Sequence, residues 1–210
     1  MKYLGPEEVS LSIRPQRMYW NDAKPSMDIG ILGVDPGGTT GWSLLKIPKS
    51  IEGQPIWSFS LTDILEHKIS WFHGQIDARG PMEDAAINTL SQLIVENCGA
   101  AIVLEDFILR PARNEKTRDL LSPVRINAVL QHFCWNLNRV VLYQQPALAK
   151  TTATDDRLKL WGVYIRDGGL QHARDADRHV ITFMRRCMNK ADKNIRQAAW
   201  PHLYTKKIGA

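Results

Sequence analysis

The sequence predicts an α/β protein in which helices pack against a sheet whose later strands run parallel. Two observations lead to this class. Short apolar runs of strand length alternate with longer segments whose apolar residues recur at helical spacing. The first two runs are separated only by a glycine-rich turn and form a hairpin, whereas the later runs are separated by helices, as parallel strands require. With 210 residues, 44% of them hydrophobic and 23% charged, the chain has the composition of one globular domain with extensions.

Three strands are expected close together in the first part of the chain. Residues 29–34 form a continuous apolar run, as a strand buried on both faces should. Residues 42–47 make the second strand, after the glycine-rich turn. Residues 68–76 alternate between apolar and polar side chains and make the third, after a polar connection.

Helices and strands then alternate. Pro81 opens a helix that ends before Gly99, and a buried strand follows at 101–104. A long helix begins at Ser122 and leads to a fifth strand at 140–143. The last predicted element is a helix from residue 171 to about residue 189.

The ends of the chain differ from its middle. Residues 1–27 have no sustained periodicity and are predicted to be an extension, residues 28–190 the domain, and residues 191–210 a basic tail. From residue 181 onward there are seven Lys or Arg residues and one acidic residue. Such a segment suits a polyanion such as nucleic acid, although a solvated helix face has the same composition.

Targeting signals and cysteine motifs do not stand out in the sequence. The first residues are interrupted by acids and prolines, and no apolar run reaches the ~18 residues of a membrane span, so we expect a cytoplasmic protein with no membrane partner. Cys98, Cys134 and Cys187 are far apart and have no CxxC spacing. They are predicted to be free, buried thiols rather than zinc ligands.

Carboxylates recur at three comparable places in the predicted fold. Asp35 ends the first strand, Glu105 ends the fourth, and the last helix opens with 171-QHARDADRH-179. Each one alone is more often a turn residue or a solvated charge. Together, carboxylates at the ends of neighbouring strands and on a packed helix can converge, and convergent oxygen ligands are what Mg²⁺ or Mn²⁺ requires.

Helix geometry selects among the side chains of the last helix. At about 100° per residue, His172, Asp175 and His179 share one face, which borders the apolar stripe of the helix. Asp177 lies roughly 200° around the helix from Asp175 and is predicted to be peripheral. Arg174 and Arg178 are expected off the catalytic face and in solvent.

Three motifs in this order resemble those of RuvC-type Holliday-junction resolvases of the RNase H-like nuclease superfamily, in the version carried by bacteriophages. They are DPGGTTGW after the first strand, LEDF at the end of the fourth, and HARDADRH in the last helix, and the resemblance covers about residues 28–190. It implies an RNase H-like mixed sheet of five strands with helices on both faces, and a homodimer. It also implies two Mg²⁺ or Mn²⁺ ions held by Asp35, Glu105, His172 and Asp175. His172 stands where cellular members of the family have an Asp.

The same resemblance and the chemistry of the glycine-rich turn after Asp35 indicate which residues could contact DNA. Gly37 and Gly38 would let the DNA backbone approach the metals. Thr39 and Thr40 could offer hydroxyl groups to phosphate, although β-branched residues are equally expected at the start of a strand. Lys150 lies where the family places a basic residue near the scissile phosphate. The loop after the fourth strand is long enough to enter a junction, as the matching loop does in the family, and it carries four basic residues, namely Arg110, Arg113, Lys116 and Arg118. An ordinary solvated loop has the same composition.

The function implied by the resemblance is metal-dependent hydrolysis of DNA at four-way junctions, with two ions in an in-line displacement and no small-molecule cofactor. Three alternatives stay open on the residues alone. The chain could be a broader RNase H-like nuclease acting on flaps, forks or RNA–DNA hybrids. It could bind branched DNA without cutting it. It could act on sugar or phosphate substrates like the actin-like ATPases, although it is too short for their two-domain architecture.

Overall fold

The structure, a computed structural model, describes residues 14–18, 29–66, 69–107, 121–166, 168–189 and 192–204. Its centre is a six-stranded sheet, and a separate two-stranded hairpin follows the second predicted strand. The strands are β1 (Arg14–Met18), β2 (Ile29–Asp35), β3 (Thr39–Ile47), β4 (Ser50–Ile51), β5 (Gln54–Pro55), β6 (Ser70–Asp77), β7 (Ala100–Glu105) and β8 (Val141–Gln144).

The order of strands in the large sheet is β1-β6-β3-β2-β7-β8. Antiparallel pairing joins β2, β3, β6 and β1, and parallel pairing joins β2 to β7 and β7 to β8. The predicted mixed sheet of five strands is therefore confirmed. The sixth strand, β1, comes from the predicted extension and lies at the edge, where a proline that cannot donate to the ladder is tolerated.

Helices cover both faces of this sheet, as the resemblance implied. Their bounds are α1 (Leu61–Glu66), α2 (Glu83–Glu96), α3 (Ser122–Asn136), α4 (Pro146–Thr152), α5 (Asp155–Leu160), α6 (Gln171–Met188), α7 (Lys193–Ala199) and α8 (Pro201–Tyr204). A 3₁₀ turn at Gly80–Met82 leads into α2, because Pro81 suits a first helical turn but cannot donate a backbone hydrogen bond.

The core has two parts, one on each face of the sheet. On one face, α2 and α3 pack against Leu32 and Val34 of β2 through Leu90, Ile126 and Leu130, all buried. On the other face, α6 packs against Ile31 and Leu45 through a fully buried stripe of Val180, Phe183, Met184 and Cys187. Burial of each such large side chain stabilises the fold by about 1.5–3 kcal/mol. The sheet is thus fixed from both sides, and its carboxyl edge with it.

Part of the predicted basic tail packs against the domain. Trp200, between α7 and α8, is fully buried, and its ring lies 5.8 Å from that of Phe183. Its indole Nε1 donates a hydrogen bond to the carbonyl oxygen of Gly30 at 3.1 Å. Trp200 therefore contributes to the core, while the division of the chain into three segments stays a prediction.

The prediction of three buried cysteines is partly wrong. All three are free, and Cys134 and Cys187 are buried, but Cys98 is exposed in the turn after α2. Its neighbour in the chain, Asn97, caps α2, so the apolar periodicity of the helix has already ended at Cys98. Burial raises the pKa of the Cys187 thiol to about 12, so this group is an unreactive part of the core.

Candidate active site

Two carboxylates meet at one edge of the sheet because their strands are parallel neighbours. Asp35 is the last residue of β2 and Glu105 the last residue of β7, and the register pairs Val34 with Leu104. Asp35 is buried, whereas Glu105 is half-buried. Both side chains therefore leave the sheet at the same end, as the sequence predicted.

The first turn of α6 reaches this edge through a close contact with β3. A Cβ atom on Gly41 would lie 2.0 Å from the carbonyl oxygen of His172, so a side chain at this position is excluded. Gly41 is paired with Asp35 across the β2/β3 ladder. The glycine therefore lets the start of α6 lie directly against the strand pair that carries Asp35.

His172 contacts Asp35 as a result. The Nδ1 atom of His172 lies 2.9 Å from Oδ2 of Asp35. Burial raises the pKa of Asp35, the hydrogen bond to His172 opposes that rise, and the charges of Glu105 and Asp175 add to it. The same hydrogen bond raises the pKa of His172 above its ordinary value. The charges of His172, Glu105 and Asp175 are thus close enough to Asp35 to affect its pKa.

Asp175 is held by two basic side chains from different elements. Lys150, on α4, places its Nζ atom 3.5 Å from Oδ2 of Asp175. Arg178, one turn further along α6, donates from Nη1 to Oδ1 of Asp175 and from Nη2 to Asp155. Its Nε atom also donates to the carbonyl oxygen of Ala153 at 3.0 Å. Arg178 therefore connects the N-terminal part of α6 to Ala153 and to the start of α5.

The expectation that Arg174 and Arg178 are solvated is wrong. Arg178 is only 9% exposed. It follows Asp175 by three residues, which places the two side chains on the same face of the helix. Arg174 stacks over the ring of Tyr164 and donates to its hydroxyl at 3.2 Å. Both arginines therefore help to fix the position of α6. The sequence did not indicate this, because a charge-rich segment is equally typical of a solvated helix face.

Glu105 has a histidine partner of its own. His179 places Nε2 2.8 Å from Oε2 of Glu105, and its Nδ1 lies 3.1 Å from Nε2 of Gln144. Asn127 of α3 donates to the backbone carbonyl of Glu105 at 2.9 Å. The sequence placed His179 on the correct face of the helix but assigned it no role, and nothing in the sequence pointed to Gln144 or Asn127.

Asp177 belongs to a different cluster, on the other side of α6. Its Oδ1 accepts a hydrogen bond of 2.6 Å from Ser43, whose hydroxyl in turn accepts one of 2.8 Å from Trp71. Nδ1 of His73 lies 3.6 Å from the other carboxylate oxygen. Burial raises the pKa of Asp177 to about 8 and lowers that of His73. Asp177 therefore contacts the interior of the sheet rather than the candidate site.

Some of the residues predicted to contact DNA form hydrogen bonds that stabilise the turn between β2 and β3. The hydroxyl of Thr40 is fully buried and donates to the carbonyl oxygen of Gly37 at 2.8 Å. The carbonyl oxygen of Gly38 accepts from the backbone N–H of Ala78 at 2.8 Å, which joins the turn to the end of β6. Gly37, Gly38 and Thr39 are half-buried. The burial of Thr40 is explained by its hydrogen bond within the turn. Contact with phosphate would not explain it.

A cleft of about 490 Å³ opens beside the candidate site. Glu105 and Lys150 line it, so one carboxylate and one ammonium group of the site reach it directly. Its other walls are formed by Pro36, Phe107, Pro123, Pro146 and Ala147. The predicted junction-entering residues Arg110, Arg113, Lys116 and Arg118 lie outside the described residues.

The donor set suits Mg²⁺ or Mn²⁺, because it offers three carboxylates and an imidazole, and a cation would offset the crowding of negative charge around Asp35. As the side chains stand, no group of three or more His, Cys, Asp or Glu within the described parts of the chain is arranged to hold a metal ion. Each carboxylate instead has a basic partner from the protein, namely His172, His179, or Lys150 with Arg178. Ligation of a shared ion therefore requires these side chains to rotate.

Fold and site together define an RNase H-like α/β protein with acidic residues at the carboxyl edge of its sheet. Its fold is similar to that of T. thermophilus RuvC in complex with Holliday junction substrate, with a TM-score of 0.50 and 12% sequence identity over 74% of this chain and 92% of that one. Another Thermus thermophilus RuvC structure gives a TM-score of 0.47 and 14% identity over 81% and 98% of the two chains. At 12% identity the first comparison shows a shared fold.

No protein-family model matches the sequence, and no curated protein matches it either. No helix in the described part of the chain is long and apolar enough to cross a membrane.

Proposed function

We propose that this protein is a divalent-metal-dependent endonuclease that resolves four-way DNA junctions. The observation that carries the proposal is the meeting of Asp35, Glu105, His172 and Asp175 at the carboxyl edge of a RuvC-like sheet. The first two come from parallel neighbouring strands, and the other two come from the first turns of α6. The effect of the other three side chains on the pKa of Asp35 supports their assignment to one site.

The chain's own residues have distinct parts in the proposed reaction. Asp35, Glu105, His172 and Asp175 would hold the ions, which when bound activate water and stabilise the leaving oxygen in phosphodiester hydrolysis. If His172 does not ligate an ion, its raised pKa and half-exposed ring allow it to take a proton at the site instead. The side chain of Lys150 is 56% exposed and lines the cleft, so its ammonium group can stabilise negative charge on the phosphate.

Basic surface residues would supply most of the affinity for branched DNA, because binding to the phosphate backbone is largely electrostatic. The loop residues Arg110, Arg113, Lys116 and Arg118 remain the candidates for contact with the centre of the junction. Gly37, Gly38 and Thr39 remain candidates for contact near the cut, and their half-buried position in the turn beside Asp35 supports this.

A homodimer is part of the proposal, since symmetric cleavage needs two sites related by a two-fold axis. One side of α3 supports it. Val124 and Trp135 of α3 and Leu121 just before it are exposed, Trp135 by 71%, and their spacing places them along one side of the helix. Sedimentation velocity should detect a dimer of the wild-type chain and a monomer of Trp135→Glu, and a wild-type monomer at all concentrations would contradict this part.

The experiment that tests the proposed activity compares substrates. End-labelled four-way junction, flap, linear duplex and RNA–DNA hybrid are incubated with the protein in Mg²⁺ and in Mn²⁺. We expect paired symmetric nicks in the junction, abolished by Asp35→Asn with junction binding retained. Asp156→Asn is the matched control, because that carboxylate is 95% exposed on α5 and should cut like the wild type.

Two outcomes would replace the proposal. Cutting of the flap or the hybrid as fast as the junction would define a broader RNase H-like nuclease. Metal-independent binding of junctions without any cut would define a module that recognises branched DNA. A bacteriophage source and a cytoplasmic location stay predictions from the sequence.

A further inference from the structure

We propose that His179 is a positioning residue whose Nε2–H group holds the side chain of Glu105. We also propose that Gln144 determines which ring nitrogen of His179 carries the proton. The inference rests on the proposed function, because that function makes Glu105 a metal ligand. His179 is only 1% exposed, so its ring reaches neither solvent nor substrate. Its action on the site therefore passes through Glu105.

The three residues are placed by neighbouring elements of the fold. Glu105 ends β7 and is paired with Gln144, the last residue of β8, across a parallel ladder. His179 lies on α6, two turns after His172, and its ring is between the two strand ends. His172 and His179 thus each serve one carboxylate, Asp35 and Glu105 respectively.

The backbone of His179 determines how the amide of Gln144 is oriented. Nε2 of Gln144 lies 3.1 Å from the carbonyl oxygen of His179 and 3.1 Å from its Nδ1 atom. A carbonyl oxygen only accepts hydrogen bonds, so the amide must present its NH₂ group to it. The reversed amide would place two acceptor oxygens against each other.

The orientation of the amide in turn fixes the tautomer of the imidazole. Because the NH₂ group of Gln144 donates to Nδ1, Nδ1 is an acceptor and carries no proton. The neutral ring then carries its proton on Nε2, which donates to Oε2 of Glu105 at 2.8 Å. With Asn127 bound to its backbone carbonyl, Glu105 is held at both its main chain and its side chain. Partners of this kind orient metal ligands and typically change metal affinity by 10- to 100-fold.

Two substitutions of His179 separate the two ring nitrogens. A Gln side chain can place its amide nitrogen near the position of Nε2, whereas an Asn side chain places it near Nδ1. The affinity for Mn²⁺ is measured by calorimetry on DNA-free protein. We expect His179→Asn to bind Mn²⁺ about 10- to 100-fold more weakly than wild type and His179→Gln to recover most of that loss. Equal affinity in all three proteins would overturn the proposal.

A second measurement requires neither metal nor DNA. Nitrogen-15 spectra of the imidazole should show wild-type His179 protonated on Nε2, and Gln144→Glu should move a proton to Nδ1, because a carboxylate can only accept there. Protonation of the wild-type ring on Nδ1 alone would overturn the proposal even if the His179 variants fail to fold. Failure of the proposed function is distinct: the wild-type protein would then bind no Mn²⁺ and cut no junction.

Discussion

The carbonyl oxygen of His172 lies 2.0 Å from the position that a Cβ atom on Gly41 would occupy. This contact sets the distance between the first turn of α6 and the strand pair that ends in Asp35. It involves backbone atoms on one side, so no side-chain rotation can relieve a clash there. The third glycine of the PGGTTG turn is therefore needed for docking of the helix.

Gly41→Ala should lower the free energy of unfolding by about 3 kcal/mol, at the upper end of typical overpacking costs, and should displace His172 from Asp35. Urea unfolding measures the first effect and junction cleavage the second. Gly99→Ala is the control, because Gly99 is exposed and nothing lies within 4 Å of a Cβ there. If both variants unfold at the same urea concentration, the close contact is not a constraint on the fold.

Arg178→Met should lower the free energy of unfolding by about 3 kcal/mol, because it removes the buried cation that joins Asp175 to Asp155. Chemical denaturation gives the value. Arg185→Met, an exposed change on the same helix, should fall within about 0.5 kcal/mol of wild type. A variant at position 178 as stable as the one at position 185 would show that the ion pairs contribute nothing net.

The stability of the protein should depend on the protonation of Asp177. Burial raises the pKa of this group from 3.8 to about 8, so the native state favours its neutral form. Its contribution is therefore fully present below about pH 4 and is lost as the pH rises to about 8. Asp177→Asn is neutral at every pH and should gain stability relative to wild type across that interval.

Urea midpoints measured across that pH interval test the role of Asp177, with Asp156→Asn as the exposed control. A constant difference between wild type and Asp177→Asn at all pH values would contradict a neutral buried carboxyl group. Because the carboxyl group bonds to Ser43 and not to the candidate site, Asp177→Asn should also keep far more cleavage activity than Asp175→Asn.

Trp200→Ala should cost about 3–5 kcal/mol of stability, since it leaves a cavity between α6 and β2 and removes the hydrogen bond to Gly30. Thermal unfolding by circular dichroism measures the loss. Tyr204→Ala, on the following short helix and 44% exposed, should have little effect. Equal melting temperatures for the two variants would mean that the segment after α6 does not belong to the core.

The elements with strong local signals could be predicted from the sequence. The continuous apolar runs of β2 and β7 and the helical spacing in α6 place Asp35, Glu105 and Asp175 on elements that converge. That convergence needs only the rule that parallel neighbours end at the same edge. The short helices α4 and α5, and the edge strand β1, have too few residues for a periodic pattern to be detected.

The partners of the carboxylates could not be predicted, because they depend on distances between elements far apart in the chain. Gln144 contacts His179 because β8 pairs with β7, and the spacing of residues in the sequence does not indicate this contact. Arg178 was misplaced for a different reason. In the run HARDADRH four of the eight residues are charged, and charge alone does not distinguish a buried ion pair from a solvated face.

Helix α6 carries His172, Asp175, Arg178 and His179 at spacings of three, three and one, and each meets a partner on a different element. Inserting or deleting a single residue between the two histidines would rotate everything beyond it by about 100° and turn His179 away from Glu105. Over evolution this segment can therefore exchange residues one at a time but cannot change its length. Insertions and deletions in related sequences should occur instead in surface turns, such as the one at Glu52 and Gly53.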